Sequence, residues 1–262
     1  MRSLVHRCDR GRLYGALNAR HPHVPTILMN CDDRQKTCLP LLREVALFSA
    51  LEEDALSFIA GGCHLRTVER GSLLCEKGAL LQGFFLVLGG RVKLAILSEE
   101  GAERVVDICL PGRIFADAAA FHDQPCPFYA EALSDSRLLF FDRQRIREAV
   151  TRWPGVAMAM LDSLARQVSG LTRDLEACCL MSAPRRVSRY LLQEAEYRLC
   201  TPDQADFELP AAKVVVASRL NLTAETFSRE LHALARTGVI SIDKRRIRIL
   251  SVDRLRQCCA VA

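Results

Sequence analysis

Ala217-Ser-Arg-Leu-Asn-Leu-Thr-Ala-Glu-Thr-Phe-Ser-Arg-Glu-Leu-His-Ala-Leu-Ala-Arg-Thr-Gly-Val-Ile240 reads as the end of one helix, a tight turn and a second helix. Phe227, Leu231 and Leu234 follow one another at spacings of four and three, which turns one apolar stripe inward. Glu225, Ser228, Arg229 and His232 then face outward. Thr223 stands where its hydroxyl can accept a backbone amide of the first turn, and Gly238 stands where a helix commonly ends. Alone, this pattern is also that of any amphipathic helix with a solvated charged face, so its neighbours decide the reading.

Downstream, Val239-Ile-Ser-Ile-Asp-Lys-Arg-Arg-Ile-Arg-Ile-Leu250 holds two alternating runs joined around Asp243-Lys244, the pattern of a β-hairpin. Upstream, Phe207 to Pro210 supplies a short strand and Ala211 to Ala217 a first helix. The order is that of a winged helix-turn-helix. Residues 182–262 carry 14 Lys or Arg against 9 Asp or Glu, a net +5 that equals the net charge of the whole chain. The basic excess therefore belongs to this segment, as phosphate neutralisation by a DNA binder requires. Glu225, Ser228 and Arg229 are the expected base-contacting residues, since Arg pairs with guanine and Glu accepts from cytosine. Lys213, Thr223, Thr226, Lys244 and Arg245 are the expected phosphate contacts, within a basic face that also includes Arg219, Arg246 and Arg248.

With 262 residues, half of them hydrophobic, the chain is long enough for two domains and a linker. No apolar run approaches the roughly 20 residues of a membrane span. Residues 1–10 lack the apolar centre of a secretory signal, so a cytoplasmic protein with no membrane partner is expected. The twelve cysteines are scattered, without Cys-x-x-Cys or zinc-finger spacing, and no metal site is expected. Nucleotide-binding glycine fingerprints, metal-helix motifs and nucleophile elbows are also lacking, so no catalytic residue is assigned and no enzyme is expected.

Further upstream, residues 1–40 read as a partly irregular extension, and residues 41–152 as an antiparallel β-sandwich of jelly-roll type. Its strands are expected at Cys63 to Val68, Leu73 to Cys75, Gly83 to Leu88, Arg91 to Leu97, Glu103 to Leu110 and Arg137 to Phe141, with glycines between them every seven to twelve residues. Two helices, Leu41 to Phe48 and Ser49 to Ala60, the second capped by Ser49, precede the strands. Residues 153–182 form one long helix on which Leu161, Leu164, Val168, Leu171 and Leu175 alternate at three and four. That narrow seam suits a second helix, hence a homodimer. Ala183-Pro184 breaks the helix, residues 183–253 form the winged domain, and residues 254–262 are a tail.

Sandwich, long helix and winged helix in this order resemble the CRP/FNR family of bacterial transcription regulators. The resemblance spans about Leu41 to Asp253. It rests on Leu47-Phe-Ser-Ala-Leu51, Glu69-Arg-Gly-Ser72, Gly83-Phe-Phe-Leu-Val-Leu-Gly-Gly-Arg-Val-Lys-Leu94, Leu110-Pro-Gly112, Ala183-Pro-Arg-Arg-Val187 and the helix quoted first. It implies an α+β protein with a cyclic-nucleotide-binding-like sensor domain, a palindromic DNA target, and RNA polymerase as a partner in activation. The Glu-x-x-Ser-Arg pattern of Glu225 to Arg229 implies a TTGAT-like half-site. The family holds its nucleotide with a Gly-Glu pair and a later Arg-Ser pair. Here those places read Ala116-Asp117 and Cys126-Pro-Phe-Tyr129, so cyclic AMP is not expected. The family's iron-sulfur branch needs four thiolates in range, whereas Cys8, Cys31 and Cys38 are widely spaced and the fourth place reads Leu138-Leu-Phe-Phe141. Phe115-Ala-Asp-Ala-Ala-Ala-Phe-His-Asp-Gln-Pro125 and Ser98-Glu-Glu-Gly101 look like the nitric-oxide-responsive dissimilatory nitrate respiration regulators (DNR). That branch implies haem and control of denitrification, with His64, His122, His6, His21 and His23 as candidate axial ligands. A cysteine-based redox or iron-sulfur sensor on the same scaffold is the alternative.

Overall fold

The computed structural model describes residues 31–196, 199–201 and 203–260. Helix α1 (Cys31–Arg43) leads through a short 3-10 turn (Ala46–Phe48) to α2 (Glu53–Ala60). The sandwich follows, with β1 (Cys63–Val68), β2 (Leu73–Cys75), β3 (Gly83–Gly89), β4 (Val92–Leu97), β5 (Glu103–Cys109), β6 (Ile114–Phe115), a one-turn helix α3 (Ala118–Phe121), β7 (Tyr129–Ala132) and β8 (Ser136–Asp142). Two antiparallel sheets, ordered β1-β8-β3-β6 and β2-β7-β4-β5, face each other. Strand β3 is buried on both sides, which is why its sequence runs apolar without alternation. Phe85 and Val87 fill the space between the sheets, while Phe84 and Leu86 meet the helices packed outside. The β3–β4 corner needs a glycine at Gly90, whose φ is +85° and whose Cβ would lie 2.5 Å from the Asp135 carbonyl oxygen.

Three sequence expectations change here. The expected partly irregular segment is helical over residues 31–40, because α1 begins at Cys31 and buries Cys38 and Leu42 with Phe48, Ile59 and Phe141; residues 1–30 lie outside the described residues. The second helix is capped at Glu52, and Ser49 instead turns its hydroxyl onto the Ala46 carbonyl (2.9 Å). Strand β7, absent from the sequence reading, is an inner strand between β2 and β4.

Helix α4 (Arg143–Arg152), capped by the Asp142 carboxylate on the Arg145 amide (3.0 Å), leads into the long helix α5 (Pro154–Leu180). Only the start of α5 is covered, Val156 and Met160 packing beside Phe48 and Ile146. Beyond it Leu161, Val168, Leu171 and Leu175 are 58%, 62%, 55% and 63% exposed. Among the described residues no helix is long and apolar enough to cross a membrane.

The C-terminal domain comprises α6 (Ala183–Glu196), β9 (Leu199–Thr201), β10 (Gln204–Glu208), α7 (Lys213–Arg219), α8 (Ala224–Arg236), β11 (Ile240–Asp243), β12 (Arg246–Ile249) and α9 (Val252–Ala260). Its sheet runs β11-β12-β10-β9. The expected tail is in fact α9, whose Val252 and Leu255 belong to the domain core.

Candidate nucleic-acid interface

The quoted stretch folds as α7, a turn and α8. The turn closes through Asn221, which sits at φ +57°, a left-handed position that Asn tolerates better than most residues. Arg186 of α6 pins that turn, donating to the carbonyls of Leu220 (2.9 Å) and Asn221 (3.0 Å). Thr223 caps α8 as its sequence position implied, its hydroxyl accepting the Thr226 amide at 3.1 Å. Phe227 and Leu231 are fully buried with Leu191 and Val216, which fixes which face of α8 looks out. Glu225 and Arg229 are exposed, and Ser228 is half-buried. The Arg229 guanidinium rests against Glu230 (3.3 Å) while staying 69% exposed, and the His232 ring hydrogen-bonds the Ser228 carbonyl.

The wing is β11 and β12, paired from Ile240↔Ile249 to Asp243↔Arg246. The turn falls on Lys244-Arg245, one residue later than the sequence suggested, with Lys244 at φ +54°. Lys244 is exposed at the tip. Arg245 donates to the Leu209 carbonyl (2.8 Å) and lies 3.4 Å from Glu208. Arg246 and Arg248 converge on Asp206 at 2.7 and 3.3 Å, and the Arg246 hydrogen bonds hold the Asp206 carboxyl below its ordinary range. Much of the wing's formal charge is thus met within the domain. Lys213, at the first residue of α7, is half-buried.

Arg219 corrects the sequence reading. Its guanidinium does not join a DNA face, because it lies 3.2 Å from Asp107 of β5 and 3.7 Å from Asp174 of α5. Beside it the Val105 amide donates to the Ser218 hydroxyl (3.0 Å), and Arg104 reaches Asn221 and the Cys178 sulfur. Val105 and Ile108 of the sandwich join the core of the C-terminal domain. The first helix of the reading motif is therefore docked on the free edge of the sensor sheet. No periodicity announces such a contact, since Asp107 and Arg219 are remote in sequence.

Residues 65–152 match the cyclic nucleotide-binding domain family, and residues 185–258 match the Crp-like helix-turn-helix domain. Together the two cover more than half of the chain, in the order the fold shows. The chain belongs to the CRP/FNR family. It is 22% identical over 217 residues to the CRP-like cAMP-activated global transcriptional regulator of Mycobacterium tuberculosis, covering 82% of this chain and 96% of that protein. It is 28% identical over 195 residues to the nitrogen fixation regulation protein FixK of Rhizobium meliloti, covering 74% and 86%. In fold it is similar to FixK2 from Bradyrhizobium japonicum, with a TM-score of 0.69 at 20% identity over 76% of this chain and 98% of that one. It is a DNA-binding transcription regulator of the CRP/FNR type.

The structure places the residues that the resemblance puts at the nucleotide site as follows. Ala116 takes φ +61°, and Asp117 behind it is buried and accepts a hydrogen bond from Gln167 of α5 at 2.7 Å. Burial pushes the Asp117 carboxyl above its usual range, opposed by the Gln167 bond. Cys126 is buried among Phe85, Val87 and Leu138 and brings no cation. Of the candidate haem ligands, His64 is half-buried on β1, its ring 6.2 Å from that of Phe140, and burial lowers its basicity. His122 is exposed at the end of α3, and His6, His21 and His23 lie outside the described residues. Among the described residues no three His, Cys, Asp or Glu side chains are grouped as a metal site.

Proposed function

We propose that this regulator works as a homodimer joined along α5 and reads a TTGAT-like palindrome with Glu225, Ser228 and Arg229. The observation that carries the reading is the apolar stripe of Leu161, Val168, Leu171 and Leu175, open on a helix that runs from the sensor to the reading domain. A contiguous open stripe of this kind marks an interface. Leu164, half-buried in the single chain, completes the heptad alternation. Two copies paired there present two α8 helices to half-sites about 34 Å apart. Lys213, Thr223, Thr226, Lys244 and Arg245 contact phosphates, Arg245 by exchanging its Glu208 partner. Where the regulator activates, RNA polymerase is its further partner.

Sedimentation and fluorescence anisotropy test this together. A dimer that binds a TTGAT palindrome at least about a hundredfold more tightly than a scrambled duplex supports it. A monomer, or equal affinity for both duplexes, overturns it.

The signal in this proposal is a gas or redox input to the sandwich, and not cyclic AMP, since Cys126 replaces the cation that a cyclic phosphate would need. Nitric oxide through haem is the input favoured by His64. Its half-buried imidazole is kept neutral by burial beside Phe140, and the neutral ring is the ligating form. His64 would hold and orient a haem, whose iron would supply the site that takes nitric oxide. Haem titration of the purified chain gives a Soret band that weakens in His64→Ala if this is right, and no band if it is wrong.

A further inference from the structure

We propose that Cys75 and Cys126 are a redox pair that closes to a disulfide under a hydroperoxide, and that closure changes the affinity of the regulator for DNA. The idea deepens the redox side of the proposed function and rests on that reading for its DNA readout.

The geometry comes first. Cys75 ends β2, an edge strand, and Cys126 lies in the segment that leads into β7, the neighbour of β2. Their sulfurs are 3.8 Å apart. A disulfide needs about 2.0 Å, so the two must close by less than about 2 Å. The backbones around them are already tied together: the Cys126 amide donates to the Ala79 carbonyl (2.9 Å), and the Gly78 amide to the Cys126 carbonyl (2.8 Å). A buried cysteine is ordinarily just a small hydrophobe, as Cys109 is here. Two buried sulfurs in near contact are a different object.

Access and reactivity follow from the surroundings. Residues 121–125 and Pro127 are exposed, so Cys126 is the single buried anchor of an otherwise open loop. Lifting that anchor bares its sulfur without opening the sheet. Either sulfur can donate in this contact, and Cys126 also donates to the Phe128 carbonyl (3.2 Å). The contact lowers the Cys126 thiol and raises Cys75, and Cys126 is the one on the open loop, so once deprotonated it is the attacking sulfur and Cys75 the resolving thiol.

With hydrogen peroxide the steps balance. The Cys126 thiolate attacks one peroxide oxygen, the O–O bond breaks, and the departing hydroxide takes a proton to leave as water. The Cys75 sulfur then attacks the resulting sulfenic sulfur, the S–O bond breaks, and a second water leaves with the Cys75 proton. Two thiols and one peroxide give one disulfide and two waters.

Closure has a route to the reading domain. The chain from Phe115 to Cys126 carries Asp117, bonded to Gln167 of α5, and Asp123, paired with Arg143 of α4. Drawing Cys126 toward β2 pulls this segment. Its far end grips the helix that bears the open stripe.

The test uses the full chain, treated with hydrogen peroxide and digested without reductant. Expected are a cross-linked peptide joining Cys75 to Cys126, reversed by dithiothreitol, and a change of about fivefold or more in affinity for the TTGAT duplex. Cys75→Ser and Cys126→Ser, checked for folding by circular dichroism, should each lose both responses. Peptide mapping of the unaltered chain decides the chemistry even if those variants fail to fold. Cross-links only elsewhere, or both thiols still open to alkylation, overturn the pair. A Cys75–Cys126 cross-link with unchanged affinity overturns the switch. Reduced protein that binds neither duplex overturns the DNA reading instead, and leaves the cross-link standing or falling by its own result.

Discussion

Helices α8 and α5 carry the same kind of apolar pattern and meet opposite fates. On α8, Phe227 and Leu231 vanish into a core closed by Leu191, Val216 and Ile247. On α5, four of the five seam residues stay more than half exposed, although Val156 and Met160 at its start are buried. Periodicity announces that a helix has something to bury. It does not announce whether the partner belongs to the same chain, and that is settled by what the fold brings alongside. For α8 the chain itself supplies the cover, so its outward face is free to read. For α5 the cover is missing within the described residues, so a second copy is the simplest occupant.

The largest expected effect breaks α8. Phe227→Ala should cost about 3–5 kcal/mol, since a fully buried aromatic leaves a cavity in a packed core. Urea unfolding followed by circular dichroism measures it, and a loss below about 1 kcal/mol would mean that α8 is not held as described. The matching change on α5, Leu171→Asp, should leave the fold of the single chain intact, because the side chain it replaces is 55% exposed. It should instead convert a dimer to a monomer in sedimentation and remove palindrome preference. A variant still dimeric would refute the seam and, with it, the contrast between the two helices.

What the sequence shows and hides follows the same line. The Phe227 stripe, the Thr223 cap and the wing are local, set by residues within a few turns of one another, and they are readable from spacing alone. Strand β7 is short, Tyr-Ala-Glu-Ala, with two alanines and a proline two residues ahead. It is a strand because β2 and β4 flank it, which no local preference reveals. Arg219 was legible as a cation and not as an interdomain one, because Asp107 and Asp174 reach it only once the sandwich edge has docked on α7. Asp117 stood out as the family's altered acid, but its bond to Gln167 depends on where α5 crosses the sandwich. The cysteines gave no pairing, because Cys75 and Cys126 meet only through the β2–β7 register.

Smaller effects sharpen the outward face of α8. Arg229→Ala should lose about 1–3 kcal/mol of discrimination at one base position, whereas Lys244→Ala should weaken all sequences alike and lower the salt slope by about one. Anisotropy with single-base variants of the duplex, at two salt concentrations, separates the two. Equal losses on cognate and scrambled DNA for both variants would remove Arg229 from base reading. Thr223→Ala should cost about 1 kcal/mol through the lost cap on the Thr226 amide, visible as a lower urea midpoint.

The smallest effect concerns how the sensor domain holds α5 beside its open stripe. Gln167 stands one turn from both Leu164 and Leu171, so the Asp117 carboxylate that accepts from it sets the rotation at which the stripe is offered. Burial raises the Asp117 pKa, so the folded chain binds this proton more readily than the unfolded chain does. The resulting stability is fully present below the ordinary carboxylate range and is lost as pH rises through the raised value. Asn keeps an oxygen for Gln167 and cannot ionise, so Asp117→Asn should match the unaltered chain near the acid end and be the more stable of the two at neutral pH. Melting both proteins across that window checks the sign. A gap that stays constant with pH would mean that Asp117 carries no burial penalty, and that Gln167, not desolvation, governs the contact which positions the open stripe.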